Sequence, residues 1–174
     1  MSFAVQRVNP AEIPACVSVI RESFRTVADE FGITPENAPR FTAFAVTEER
    51  LRYHDTVEHW PMFAAHDGER IVGYVSLACH EEGTCELGNL AVLPSYRHRG
   101  IGRALLEAAE EEARERGYSR MTLSLVDENT RLREWYESLG FKRTNSVKYD
   151  FFPFTCGYME KELKPSQIKQ GAVT

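Results

Sequence analysis

The chain has 174 residues, enough for one domain with a substantial core. Its 43% apolar and 27% charged residues are those of an ordinary globular protein, and a net charge of -5 argues against a nucleic-acid binder while favouring a neutral or cationic substrate. The four cysteines (Cys16, Cys79, Cys85 and Cys156) form no C-x-x-C pair and read as reduced, mostly buried thiols. No leader-like segment and no run of membrane-spanning length stands out, so a cytoplasmic protein with no membrane partner is expected.

Residues 3–8 alternate apolar and polar side chains and predict a first strand. Asn9-Pro10 opens a helix over about 11–30, with Ile13, Val17, Ile20, Phe24 and Val27 on one face and Gly32 past its end. Residues 33–44 contain Pro35 and Pro39 and read as an irregular loop. Thr47 caps a second helix that ends before Pro61. Two strands, 62–66 and 70–79, flank the hairpin signal Asp67-Gly68. Glu81-Glu82-Gly83 is the next turn and leads into a strand from Glu86, completing an antiparallel meander. A helix over 102–116 buries Leu105, Leu106, Ala109 and Ala113. Then come a strand at 118–126, a helix at 129–139 closed by Gly140, and strands at 141–152 and 154–163 separated by Pro153. The expected domain is 1–163, followed by a flexible tail at 164–174. The order βααβββαβαββ predicts an α/β fold with a mixed, mostly antiparallel seven-stranded sheet and four helices.

The stretch from Glu86 to Arg103 organises the chain. A strand ends at Pro94, a basic turn Arg97-His98-Arg99 follows, and Gly100-Ile101-Gly102 opens a helix. The first turn of a helix carries unpaired N–H groups and partial positive charge, and glycines let a phosphate approach them. Arg97, Arg99 and Arg103 add full charges around the same point. A Walker A loop is excluded because no Lys-Ser or Lys-Thr follows. A Rossmann fingerprint is excluded because Leu105 stands where its third Gly belongs.

The pattern Arg97-x-x-Gly100-x-Gly102 resembles the acyl-CoA pyrophosphate loop of the GCN5-related N-acetyltransferase (GNAT) superfamily. A second element, Asn129 through Tyr136 followed by Leu139-Gly140-Phe141, is similar to the family's N-x-x-A-x-x-x-Y-x-x-x-G-F segment, with Leu132 in place of the usual Ala. A larger side chain there could tighten or reshape the pantetheine channel. The resemblance implies acetyl-CoA as co-substrate and no metal. It implies that Leu90, Ala91 and Val92 offer main-chain groups to the pantetheine arm, like an added strand. It implies that Arg97, His98, Arg99, Gly100, Ile101, Gly102 and Arg103 hold the pyrophosphate through backbone N–H groups. It places Asn129 on the pantetheine and Tyr136 beside the thioester sulfur.

The implied reaction is attack of an amine on a thioester carbonyl. Deprotonating a lysine-like amine at neutral pH costs about 4.6 kcal/mol, and an α-amine about 1–1.4 kcal/mol. A thiolate of Cys-like pKa leaves readily, so the base matters more than the acid. Glu86 stands four residues before Leu90, where histone-type members carry their catalytic Glu, and a strand puts both on one face. It reads as the base, direct or through water, or as a strand-edge carboxylate paired to an Arg. Tyr136 reads as the acid, or as a half-buried core tyrosine.

His54 with Glu58, and Asp55 with His59, are one helical turn apart but have no third ligand at motif spacing, and suit a solvated helix face. His66 and His80 are singletons that suit structural roles. Phe151-Phe152-Pro153-Phe154 suits core and turn, or a wall of the acceptor site. Two functions share this loop: an N-acetyltransferase acting on a small-molecule or peptide amine, and a non-catalytic acyl-CoA-binding sensor or regulatory module. Glu86 and Tyr136 favour the enzyme, because a binder needs neither. A homodimer is compatible with either.

Overall fold

The computed structural model describes residues 2–79 and 83–165. His80, the turn at 81–82 and all of the expected tail beyond Pro165 lie outside the described residues. Seven strands form one sheet in the order β1-β2-β3-β4-β5-β7-β6. They are β1 Ala4–Arg7, β2 Met62–Asp67, β3 Arg70–Cys79, β4 Thr84–Val92, β5 Arg120–Val126, β6 Lys142–Val147 and β7 Cys156–Glu162. Every neighbouring pair is antiparallel except β4 with β5. The mixed, mostly antiparallel sheet is the one expected.

Five α-helices accompany it: α1 Ile13–Phe31, α2 Thr42–Ala45, α3 Glu48–Thr56, α4 Ile101–Glu115 and α5 Thr130–Ser138. Local chemistry sets their ends. Asn9 and Glu12 form a reciprocal capping box around a short 3-10 turn ahead of α1, and Gly32 closes α1 at φ 64. Thr47 Oγ1 accepts the Arg50 N–H at 3.1 Å at the start of α3.

The one-turn α2 lies in the stretch expected to be irregular. It forms because Phe41 and Ala43 are buried in a second, smaller cluster with Ala28, Ile33, Ala38, Val126 and Phe154. Packing there overrides a weak local signal. The last two strands are also shorter than expected. Residues 148–155 leave the sheet because Phe154 is drawn into that second cluster, and the Glu128 carboxylate takes the Thr155 N–H at 2.9 Å.

Helices α1 and α4 sandwich β3 and β4. Gly73 of β3 lets α4 approach closely: a Cβ there would stand 2.8 Å from Leu105 Cδ1 and 3.2 Å from Ile101 Cγ2. On the other face, Tyr74 lies toward Cys16 of α1. Ile13, Val17 and Ile20 of α1 and Leu105, Leu106, Ala109 and Ala113 of α4 are buried in the main core. Each large aliphatic contributes about 1.5–3 kcal/mol. Lys161 of β7 reaches α4 through the buried Glu110, Nζ to Oε1 2.7 Å, and Arg114 completes the cluster at 3.4 Å. Such a cluster offsets its own desolvation only when every member is paired, as here.

Candidate acyl-transfer site

The site begins with a gap in the sheet. Parallel pairing of β4 and β5 covers only three rungs: Thr84 with Arg120, Cys85 with Met121, and Glu86 with Thr122. β4 continues to Val92 and β5 to Val126, yet no described rung joins them past Glu86. β5 is held along its whole length by β7. β4 stays with β3, but with a register shift between Tyr74 and Ser76 and with Asn89 at φ 49. A bulge of this kind bends a strand and increases its twist. The two parallel strands therefore splay apart, leaving main-chain groups of β4 without a strand partner on that side.

The direction of those groups follows from one hydrogen bond. Leu93 N donates back to Val72 O of β3 at 2.9 Å. The carbonyl of Val92 belongs to the same trans peptide and so points the other way, into the gap. The Arg97 Nε takes it at 3.2 Å. Leu90, two residues earlier, is on the same side of the strand as Val92, whereas Ala91 pairs with Tyr74.

After β4 a 3-10 turn, Pro94–Tyr96, leads to the basic loop. His98 has φ 63 and Gly100 φ 84, and α4 starts at Ile101. The first intrahelical bond is Ala104 N to Gly100 O, 3.0 Å, so the N–H groups of Ile101, Gly102 and Arg103 precede the helical ladder. Open space surrounds the position that a Gly100 Cβ would take. At Gly102 that position lies 3.5 Å from the Trp135 ring and 3.8 Å from Val92 Cγ2. Trp135, which the sequence reading passed over, therefore brings α5 alongside the start of α4 at the end of β4.

The three arginines of the loop do different things. Arg97 turns inward: besides Val92 O it donates to Ser23 O at 3.1 Å, Ser23 Oγ at 3.2 Å and Thr26 Oγ1 at 3.0 Å. Burial lowers its pKa, though nowhere near enough to discharge it. The expected ring of three charges is thus not what this residue supplies; it staples the loop to α1. Arg99 lies over the Tyr96 ring at 5.4 Å. Arg103 pairs with Glu107 of its own helix at 3.1 Å in the open, a contact worth little.

α5 is set by the Asn129 side chain, whose Oδ1 accepts the Leu132 N–H at 3.3 Å, and by Arg133 on the Asp127 carbonyl at 3.0 Å. The Asn129 amide NH₂ takes no part in the cap. Leu132 packs on the main core. Tyr136 is 6% exposed, and its ring meets Trp135 and Phe141 edge-on at 5.0 and 5.5 Å. Burial pushes its phenol well above the ordinary range, so it stays a neutral O–H donor.

Glu86 belongs to the last rung before the gap, across from Ala78 and Thr122. It shares the α1 face of the sheet with Ser76 and Tyr74, whereas Tyr136 sits on the α4 face. The gap is where the two faces meet. Next to Glu86 on its face are Thr122 and Ser124 of β5 and Tyr158 of β7. The Tyr158 and Tyr149 hydroxyls share a hydrogen bond of 2.8 Å, and the Tyr158 phenol is pushed up to about 12. That bond is the largest cause, burial follows, and the nearby negative charge of Glu86 adds to it. Neither tyrosine was singled out from sequence; the aromatic density of 149–154 was the available signal. His54 stacks on Trp60 at 4.1 Å and faces Glu58 at 3.5 Å. Among the described residues no group of His, Cys, Asp and Glu is disposed to hold a metal ion, and no helix is long and apolar enough to cross a membrane.

The staple makes a prediction. Arg97→Ala takes the Arg97 donor from the Val92 carbonyl and removes the bonds to Ser23 and Thr26 of α1, and should cost about 2 kcal/mol or more in urea unfolding. Arg97→Lys, a point charge without the planar fork, should recover only part of it. Equal stability of Arg97→Ala and wild type would show that the loop does not depend on α1.

The model of the Acetyltransferase (GNAT) family matches residues 23–141. An uncharacterized N-acetyltransferase from Lactobacillus delbrueckii subsp. lactis is 30% identical over 149 residues, covering 80% of this chain and 84% of the relative. The ribosomal protein bS18-alanine N-acetyltransferase of Escherichia coli K12 is 32% identical over 107 residues, covering 55% of this chain and 70% of that protein. In fold, the PaiA N-acetyltransferase from Thermoplasma acidophilum, solved in complex with coenzyme A, superposes with a TM-score of 0.77 at 22% identity, over 93% of this chain and 99% of that one. The fold thus has its counterpart in a solved acetyltransferase, and with the match over residues 23–141 the chain belongs to the GNAT family of acetyltransferases.

Proposed function

We propose that the gap between β4 and β5 is where this acetyltransferase brings acetyl-CoA and its acceptor together, with Glu86 and Tyr136 on either side. The chain is an acyl-CoA-dependent N-acetyltransferase that moves an acetyl group from acetyl-CoA to a primary amine. The observation that carries the site assignment is the end of β4–β5 pairing at Glu86, directly upstream of the glycine-rich start of α4.

The residues present fit the co-substrate. The N–H groups at 101–103 and the open space at Gly100 suit a pyrophosphate. Main-chain groups of Leu90 and Val92 face the gap and suit an amide-bearing arm, and the Asn129 NH₂, unused by the helix cap, suits the same role. His98, Arg99 and Arg103 complete the loop around the diphosphate, while Arg97 holds its shape. Bound acetyl-CoA supplies an activated acyl group on a good leaving thiolate. On the acceptor side, Glu86 takes the proton of the incoming ammonium, directly or through a water. On the other side, the neutral Tyr136 hydroxyl gives its hydrogen bond to the departing sulfur. The acceptor is a small-molecule or peptide amine. We place the enzyme in the cytoplasm, where its four free thiols stay reduced.

Three measurements test this. Gly100→Glu puts a carboxylate where the pyrophosphate belongs and should weaken CoA binding by at least about 100-fold in calorimetry. Because Gly100 has a positive φ, Gly100→Asn serves as the control for backbone strain and should retain far more affinity. Wild-type affinity in a folded Gly100→Glu protein would remove the loop from the site.

Tyr136→Phe keeps the ring packing and loses the donor. The expected result is a kcat lower by about 10²–10⁴-fold at near-normal CoA affinity. A parallel loss of CoA binding would reassign Tyr136 to structure.

Glu86→Gln removes the proton acceptor and keeps the shape. Below the amine's pKa, kcat/KM should fall by about 10²–10⁴-fold, and at high pH, where the amine is already neutral, much of the loss should return. The fall should be larger for a lysine-like amine than for an α-amine. Superimposable pH–rate profiles of wild type and variant would reject Glu86 as the base.

A further inference from the structure

The face of the sheet that carries Glu86 has an unusual border. Its floor is small and polar, Thr122 and Ser124, with Ser124 exposed. Tyr158 stands beside that floor, hydrogen-bonded at its tip to Tyr149. From Tyr149 a run of rings continues without a break. Phe151 stacks on Tyr149 at 5.1 Å and 19°, and Phe152 tilts against Phe151 at 4.8 Å. Phe154 stacks on Phe152 at 4.7 Å, and Phe41 meets Phe154 edge-on at 5.7 Å. The run ends in the second cluster, which holds α1 and α2. Phe154 and Phe41 are buried, Tyr158, Tyr149 and Phe152 are half-buried, and Phe151 is 54% exposed, one of the few large apolar side chains left in water among the described residues.

The charges on this face complement one kind of occupant. Glu86 offers a carboxylate at the gap, the Tyr149 and Tyr158 hydroxyls bond to each other, and the Arg40 guanidinium lies over the Phe151 ring at 5.8 Å. A ring prefers another ring in offset-stacked or edge-on contact, and a cation is attracted to an aromatic face. The segment 148–155 that carries the rings is held at both ends, by the Tyr149–Tyr158 bond and by Glu128 on the Thr155 N–H. The wall is therefore set before an acceptor arrives, which lowers the ordering cost of binding.

Building on the acetyl-transfer reading above, we infer that the acceptor is a small primary amine joined by a short linker to an aromatic ring, its ammonium at Glu86 and its ring against the Tyr158–Tyr149–Phe151 wall. Phe151 and Tyr149 then determine specificity and do no chemistry. An extended aliphatic polyamine would leave the wall unused. A peptide with an N-terminal alanine would bring polar backbone against it.

The test starts with CoA calorimetry on the wild-type protein, then compares kcat/KM for 2-phenylethylamine, n-hexylamine, spermidine and an Ala-initiated tetrapeptide. Absence of CoA binding would overturn the underlying acetyl-transfer reading and this inference with it. With CoA bound, 2-phenylethylamine should exceed each of the other three by about tenfold or more. Equal or better turnover of spermidine or the peptide would overturn the inference alone and leave the acetyltransferase intact. Phe151→Ala, at an exposed position where folding is not at risk, should lower the phenylethylamine-to-hexylamine ratio about tenfold, chiefly through KM. Phe151→Leu, apolar but without a ring, should fall between Phe151→Ala and wild type. An unchanged ratio in both variants would overturn the assignment of the wall.

Discussion

The structure depends on two parallel strands that stop pairing after Glu86 and Thr122. Unpaired main-chain groups inside a sheet are costly unless something satisfies them. Here β5 has no freedom to follow β4, because β7 holds it from Arg120 to Val126. β4 is bent toward β3 by the register shift and the positive φ at Asn89. One carbonyl exposed by the separation, that of Val92, is met by Arg97. The remaining groups stay directed into the gap. The position of Glu86, the start of α4 and the placement of Tyr136 follow from that opening, each one element away from it.

Two kinds of electrostatics serve the two sides. At the loop, charge is supplied by backbone dipoles and unpaired N–H groups at a helix start, which need no side-chain ordering. The side chain of Arg97 is spent on holding that backbone still against Ser23 and Thr26 of α1. At the face proposed for the acceptor the charge is a side chain, Glu86, near the Tyr158 phenol. A fixed set of donors suits a co-substrate that is always the same. A face built from a few side chains on a hairpin suits an acceptor that the sheet does not dictate.

The two apolar clusters divide the work in the same way. The main core joins α1 and α4 through the sheet and contains Ile101, Leu105 and Tyr136, so it supports the side proposed for the co-substrate. The second cluster joins the end of α1 and α2 to Val126 and Phe154, so it supports the side proposed for the acceptor. Phe24 packs on both clusters and couples them. The buried Glu110–Lys161 pair adds a cross-brace from α4 to β7, tying the strand that carries Tyr158 to the helix that carries the loop.

Much of this was legible in the chain itself. Asn9-Pro10, Thr47, Gly32 and Gly140 mark helix ends because caps and left-handed positions depend on neighbours only a few residues away. Gly100 and Gly102 at the start of an amphipathic helix mark the loop for the same reason, and Tyr136 takes its place from helix periodicity, whereas the register shift after Gly88 turns Leu90 to the face opposite Glu86, against the strand alternation that put both on one face. Contacts between distant segments were not legible. Arg97 looks like a phosphate ligand in sequence, and only the packing of α1 turns it into a staple some seventy residues away. The one-turn helix at Thr42–Ala45 and the early ends of β6 and β7 arise from burial of Phe41 and Phe154 in a cluster that no local pattern announces. Tyr149 and Tyr158 are separated by a loop, and their shared hydrogen bond forms because β7 folds back along β6. Short-range hydrogen bonding and periodicity are written residue by residue; which surfaces meet is settled only when the whole sheet is assembled.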